Sequence, residues 1–273
     1  MLLFPNCKIN LGLHILNKRD DGFHNLETVF YPVGLKDALE IIPSPGSNNA
    51  IEFTSSGLNI EGNTNDNICI KAYQLLKKDF PELPALKMHL LKAIPMGAGL
   101  GGGSADGAFT LQLLNQKFNL NLSTPELLNY ALQLGSDCPF FIINKPCYAT
   151  GRGEILEVVT TDLSNYTIVL VNPGIHVNTG WAFSQLTPAL PQKSIVSIIA
   201  QPVATWQQEL HNDFEKPVFG KYPVIKKVKE RLYTQGATYA AMSGSGSTLY
   251  GIFEKGMVVP QFPDTDYFVK IIT

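Results

Sequence analysis

Residues 95–106, PMGAGLGGGSAD, hold the densest chemistry in the chain. Gly97, Gly99, Gly101, Gly102 and Gly103 lead up to Ser104, with an alternating strand-like segment before them and a helix pattern, Ala105 to Phe118, after them. A glycine-rich turn that opens a helix leaves several N–H groups unpaired at the positive end of the helix dipole, where phosphate is attracted. Glycine lets the chain adopt positive φ and lets a ligand approach the backbone. Ser104 is an ordinary N-cap type, and its hydroxyl could equally touch phosphate or Mg²⁺. A flexible linker is the plain alternative, and the regular patterns on both sides speak against it. Gly97, Gly99 and Gly102 fit G-x-G-x-x-G, but no second strand ending in an acidic residue follows at dinucleotide-binding spacing. No Gly-Lys-Ser/Thr follows the glycines and no H-R-D triplet occurs, so Walker and protein-kinase loops are excluded.

Other residues able to do chemistry each have a structural reading as well. Residues 7–15 alternate: Ile9, Leu11, Leu13 and Ile15 would face a core, and Lys8, Asn10, Gly12 and His14 the other way. On that pattern Lys8 and Asn10 belong to an ordinary half-exposed strand. Asp137, in GSDCPFF, reads as an aspartate capping a new turn before Pro139. Phe23 and His24 follow the turn signal Asp21–Gly22, so the segment is a simple hairpin or a place where a ring face and an imidazole edge meet a pyrimidine. Arg152 reads as a surface arginine in a β-turn, Asn67 as an N-cap, Thr179 as a helix cap and Phe183 as the core side of an amphipathic helix.

The stretch P-M-G-A-G-L-G-G-G-S-A-D resembles the central motif of the GHMP small-molecule kinases. PNCKINLGL near the start and MSGSGSTLYGIF near the end match two further motifs in family order, so the resemblance spans nearly the whole chain. It implies an α+β, two-lobed fold with the active cleft between the lobes: an N-terminal ribosomal-protein-S5-like, ATP-binding and catalytic domain over 1–155 and a C-terminal ferredoxin-like domain over 156–273. It implies phosphoryl transfer from ATP, with Mg²⁺ carried on the nucleotide, to a small alcohol. Within the superfamily it is most similar to the branch whose acceptor is a cytidine diphosphate-linked methylerythritol, an isoprenoid precursor phosphorylated on its 2-hydroxyl. By the same resemblance Lys8 matches the active-site lysine, and Asp137 the catalytic aspartate of G-x-D-x-P-x-F. ATP would be held by Pro95, Met96, Gly97, Ala98, Gly99, Leu100, Gly101, Gly102, Gly103, Ser104 and Ala105, with Asn67 and Lys92 on the adenine side. The acceptor would be held by Asn10, Phe23, His24, Arg152, Thr179 and Phe183, with Phe183 covering the other face of the cytosine. Phe23 stands where the family usually has Tyr, and Arg152 where lysine is frequent. No cluster of protein ligands for a metal is expected beyond Ser104. Three alternatives remain: another superfamily kinase for a sugar or mevalonate-type alcohol, a non-catalytic nucleotide-binding regulator, and a G-x-G-x-x-G oxidoreductase. The regulator is disfavoured because Lys8 and Asp137 are both present.

The rest of the chain must position these groups. Its 273 residues, 45% of them hydrophobic, suit a globular protein of one large or two modest domains. A net charge of −2 with no basic block gives nucleic-acid binding no support. The start lacks a basic n-region and no apolar run reaches spanning length, so a cytoplasmic protein without a membrane partner is expected, monomeric or a weak homodimer. Cys7, Cys69, Cys138 and Cys147 form no C-x-x-C and are expected as free thiols, Cys7 and Cys138 near each other beside Lys8 and Asp137. Residues 43–66 read as turns around the strand IEFTSS, and Asn67 opens a helix running to Pro81. Ser123-Thr-Pro-Glu126 reads as a capping box whose helix Gly135 stops. HNDFE at 211–215 resembles a family segment of mainly structural use, and YPVIKKVKERLYTQG reads as a helix. ATYAAMSGSGSTLYGIF reads as strand, Ser/Gly loop, strand: a hairpin, or a second backbone wall over the phosphates at 243–247.

Overall fold

The computed structural model describes residues 1–44, 51–257, 260–263 and 266–273. The chain gathers into two compact units, neither continuous in sequence. One holds Met1–Cys7, Gly34–Met96 and Gly101–Asn144; the other holds Lys8–Val33, Gly97–Leu100 and Lys145–Thr273.

In the first unit four strands lie in the order Leu2–Leu3, Ala38–Pro43, Leu86–Lys92, Ile51–Gly57. The first two pairings are antiparallel and the last is parallel. The alternation in the sequence decides the buried face: Leu86, Met88 and Leu90 are buried while Lys87 and His89 are exposed. The helix Gly102–Phe118 packs on this sheet and on the helices Ile68–Asp79, Thr124–Leu134 and Cys138–Ile143. It buries Ala105, Ala108, Leu111, Leu113 and Leu114, as expected of a helix apolar around most of its circumference. Gly107 explains the close packing: a Cβ there would come within 2.8 Å of Ile68. The helix starts at Gly102, three residues before the apolar pattern suggested, because first-turn residues need only the helical dihedrals that glycine adopts freely. The expected caps are present: Asn67 Oδ1 accepts from Cys69 N–H at 2.9 Å, and Glu126 Oε2 accepts from Ser123 N–H at 2.8 Å.

The second unit contains an antiparallel sheet in the order Tyr239–Met242, Leu249–Glu254, Tyr166–Asn172, Phe268–Ile272. The helix Pro223–Thr234 packs on it with Ile225, Val228 and Leu232 inward, as the spacing predicts. A second sheet has the order Asn6–Lys18, His24–Lys36, Cys147–Thr150, Ile155–Val158. Its two long strands are joined through Gly22 at φ +83°, the turn expected from Asp21–Gly22. Ser243 to Thr248 connect Met242 to Leu249, the strand–loop–strand expected there. HNDFE is structural as expected: Asn212 Nδ2 donates to the carbonyls of Met242 and Gly244 at 2.7 and 2.9 Å, and Asp213 accepts from Ile15 N–H at 2.8 Å. No helix among the described residues is long and apolar enough to cross a membrane.

Candidate functional site

The half-exposed strand reading of Lys8 and Asn10 does not hold: both are buried, with relative exposures of 4% and 2%. A lysine tolerates such burial only when its ammonium is satisfied. Lys8 Nζ donates to Asn10 Oδ1 at 2.7 Å and lies 4.8 Å from the Phe30 ring centroid. Asn10 Nδ2 in turn donates to Thr28 Oγ1 at 3.0 Å. Alternation misled here because both faces of this strand are covered.

Lys8 N–H donates to the carbonyl of Leu100 at 3.0 Å, so the strand carries the glycine loop alongside its lysine. The loop is also tied to the Ser/Gly loop. Ser243 Oγ donates to the Gly99 carbonyl at 2.8 Å and Thr248 N–H to the Ala98 carbonyl at 3.2 Å, while Asn10 N–H donates to Ser243 Oγ at 3.2 Å. Gly99 has φ +80°, and a Cβ there would overlap the Ser243 carbonyl. These bonds engage the loop carbonyls of Ala98, Gly99 and Leu100. Gly101, at φ +69°, precedes the helix, whose first bond runs from Ala105 N–H to Gly101 O at 2.9 Å. The N–H groups of Gly102, Gly103 and Ser104 therefore stand ahead of the helical ladder.

In the first unit Asn67, Lys92, Met96 and Gly103 line one cavity of about 400 Å³, walled by Phe53 and Ile68. Lys92 Nζ is committed beneath it, paired with Asp37 and, at 2.8 Å, with Asp106. Burial pulls the Lys92 pKa down, but Asp106 and Asp37 more than offset it and leave it raised. Asp37 Oδ1 also accepts from the N–H groups of Ala93 and Ile94 at 2.6 and 2.8 Å, fixing the approach to Pro95. Asp37 and Asp106 were missed by sequence reasoning: Asp106 passed as a helix residue of the glycine motif, and Asp37 carries no local signal.

Asp137 stands at the N-cap of Cys138–Ile143, where the capping reading put it, but it is half-buried and in αR conformation, and its side chain makes no capping bond. A residue already in helical conformation holds its carboxylate away from the first N–H groups. Cys7 and Cys138 are buried and not joined in a disulfide, and burial pushes Cys138 up to about 12. Thr179 is the first residue of the helix Thr179–Ser184, and the cap is Asn178, whose Oδ1 accepts from Trp181 N–H at 2.8 Å. The Thr179 hydroxyl instead meets Ser245 Oγ at 2.9 Å. The rings expected on the acceptor side pair within the second unit. His24 stacks on Phe183 with centroids 5.0 Å apart and planes 19° from parallel, and the Arg152 guanidinium lies 5.0 Å over Phe23. Burial, with a smaller contribution from Lys18, holds His24 below the usual imidazole range.

A model of the N-terminal domain of GHMP kinases matches residues 67–145, and a model of their C-terminal domain matches 194–262. The chain belongs to the GHMP kinase family; it is a kinase of that two-domain, mixed helix-and-sheet fold, and membership carries the use of ATP. Among individual proteins it is similar to a 4-diphosphocytidyl-2-C-methyl-D-erythritol kinase of Bacteroides fragilis, 53% identical over 93% of this chain and 92% of that protein. A protein of that name from Bacteroides thetaiotaomicron is 51% identical over 96% and 95%. A crystal structure of 4-(cytidine 5'-diphospho)-2C-methyl-D-erythritol kinase aligns with a TM-score of 0.76 at 30% identity, covering 92% of this chain and 90% of that one.

Proposed function

We propose that the protein transfers the γ-phosphate of ATP to the 2-hydroxyl of 4-diphosphocytidyl-2-C-methyl-D-erythritol. The relatives of that name support the substrate. The observation that carries it within the chain is the group Phe23, His24, Arg152 and Phe183: two rings, an imidazole below its usual pKa and a guanidinium suit a pyrimidine joined to a diphosphate. A sugar or mevalonate acceptor offers these rings no flat partner.

Donor and acceptor are both anions and must be held together against repulsion. The N–H groups of 97–104 take the phosphate chain, with Pro95, Met96 and Ala105 framing the loop. Asn67 and Lys92 line the adenine cavity, Lys92 through its stem since its ammonium is engaged. Asp137 accepts the hydroxyl proton as the new bond forms, and Lys8, steadied by Asn10, stabilises the developing alkoxide. This assignment requires the two groups to meet at the reacting oxygen. The metal ion is assigned to the triphosphate, with at most the Ser104 hydroxyl supplied by the protein. Bound Mg²⁺ would neutralise phosphate charge. Thr179, beside Ser245, borders the acceptor. We place the division between the two family domains near 155/156, a reading supported by the separate matches at 67–145 and 194–262.

Coupled ADP release measured over a panel of alcohols tests the function. Turnover is expected with the cytidylyl substrate and not with mevalonate, homoserine or galactose. Turnover of one of those, with the cytidylyl compound inert, would refute the assignment.

A further inference from the structure

The turn 173–178 joins the strand Tyr166–Asn172 to the helix Thr179–Ser184, and its sequence carries no motif. It is fixed at both ends. Asn172 Oδ1 accepts from Gly174 N–H at 2.7 Å, and Asn172 Nδ2 donates to Thr248 Oγ1 at 2.9 Å. At the far end stand the Asn178 cap and the Thr179–Ser245 contact. Between them Val177 is buried, 3.5 Å from the position a Cβ on Gly246 would take. Its neighbour His176 is exposed, and its Nδ1 and Cε1 lie 3.6 and 3.8 Å from a Cβ built on Gly97. The imidazole thus rests on the first glycine of the loop. Thr248, which Asn172 holds by its side chain, also donates its N–H to the loop at Ala98, so turn and loop are pinned to one residue.

A cradle of backbone N–H groups offers a phosphate chain many weak donors. A side chain held against its rim can add a stronger one. Imidazole carries an N–H on one ring nitrogen in either neutral tautomer and on both when protonated, and hydrogen bonds to phosphate oxyanions are among the strong ones. We propose that His176 is a phosphate-binding residue whose ring donates a hydrogen bond to the phosphate chain of the nucleotide held by the glycine loop. The assignment rests on the kinase reading above.

Calorimetric titration of the full chain with ATP and with adenosine tests it, using wild type, His176→Ala and His176→Phe. The side chain is exposed, so both variants keep the wild-type Tm. ATP affinity falls roughly tenfold or more in both, the scale of one hydrogen bond to a charged group, while adenosine affinity is unchanged. Wild-type ATP affinity in His176→Phe overturns the proposal, because a ring without N–H would then suffice. An equal loss for ATP and adenosine overturns it too, since the turn would then be shaping the base pocket. Absence of ATP binding in the wild type would remove the kinase reading and this inference together; ATP binding unchanged by either substitution removes the inference alone.

Discussion

Asp137 and Lys8 carry the proposed chemistry, and their local settings differ. The Lys8 ammonium is buried against Asn10 and Phe30, so its position is fixed before any ligand arrives. Asp137 is half-buried at the mouth of a six-residue helix and spends nothing on capping it. A carboxylate that accepts a proton in the transition state is worth about 10²–10⁴ in rate. Asp137→Asn keeps the shape and removes the base, so kcat should drop at least a hundredfold on that scale while ATP affinity is retained. Single-turnover kinetics with the cytidylyl substrate measure it, and near-normal turnover would take Asp137 out of the mechanism. At this scale the sequence alone was ambiguous: a capping aspartate and a catalytic one share residue type and position relative to Pro139. Alternation also placed Lys8 in water, since one strand's pattern cannot tell whether its second face is covered.

Among the elements, the two glycine-containing loops form one object. Ser243 reaches Gly99, Thr248 reaches Ala98, and Asn212 holds the carbonyls on either side of Ser243. The glycine loop, its helix and the Ser/Gly hairpin were legible because each has a local signature. Their interlock was not, since it joins residues more than a hundred positions apart. Gly99→Ala should break it. A left-handed alanine costs roughly 1–2 kcal/mol by itself, and here the added Cβ also overlaps the Ser243 carbonyl, which is backbone and cannot swing aside. We expect Tm to fall by at least a few degrees, at about 2–4 °C per kcal/mol for a chain of this size, and ATP affinity to fall with it. Thermal unfolding and titration check both; an alanine variant with wild-type Tm would mean the loop moves freely relative to Ser243.

Across the whole molecule, the two compact units interleave along the chain, so that the loop residues 97–100 belong to one unit and the helix they open to the other. Composition and periodicity order elements along a line and carry no record of such interleaving; the three ordered motifs revealed the fold because they identified a family. Burial of charge is equally hidden from sequence. Asp37, Lys92 and Asp106 place two acids and one base at 0–3% side-chain exposure in a chain whose net charge is only −2. A further titratable group beside them, the Cys69 thiol, is pushed up to about 12 by burial and then by Asp106, and so stays neutral. Burial pushes Asp106 up to about 7; Lys92 opposes that and Asp37 reinforces it. Its Oδ1 is buried without a geometric hydrogen-bond partner, so ionising it would leave a charged oxygen poorly satisfied. A carboxyl whose folded pKa lies above its unfolded value of about 3.9 binds more protons folded than unfolded between those two values. Its contribution to stability is complete below about pH 4 and is lost as pH rises towards 7. Asp106→Asn mimics the protonated form at every pH and still offers Lys92 an oxygen. The Tm of the variant relative to wild type should therefore climb from pH 4 to pH 7 and level off above it. Parallel Tm profiles for the two proteins across that range would show that Asp106 is ionised throughout and that the triad folds with its full negative charge.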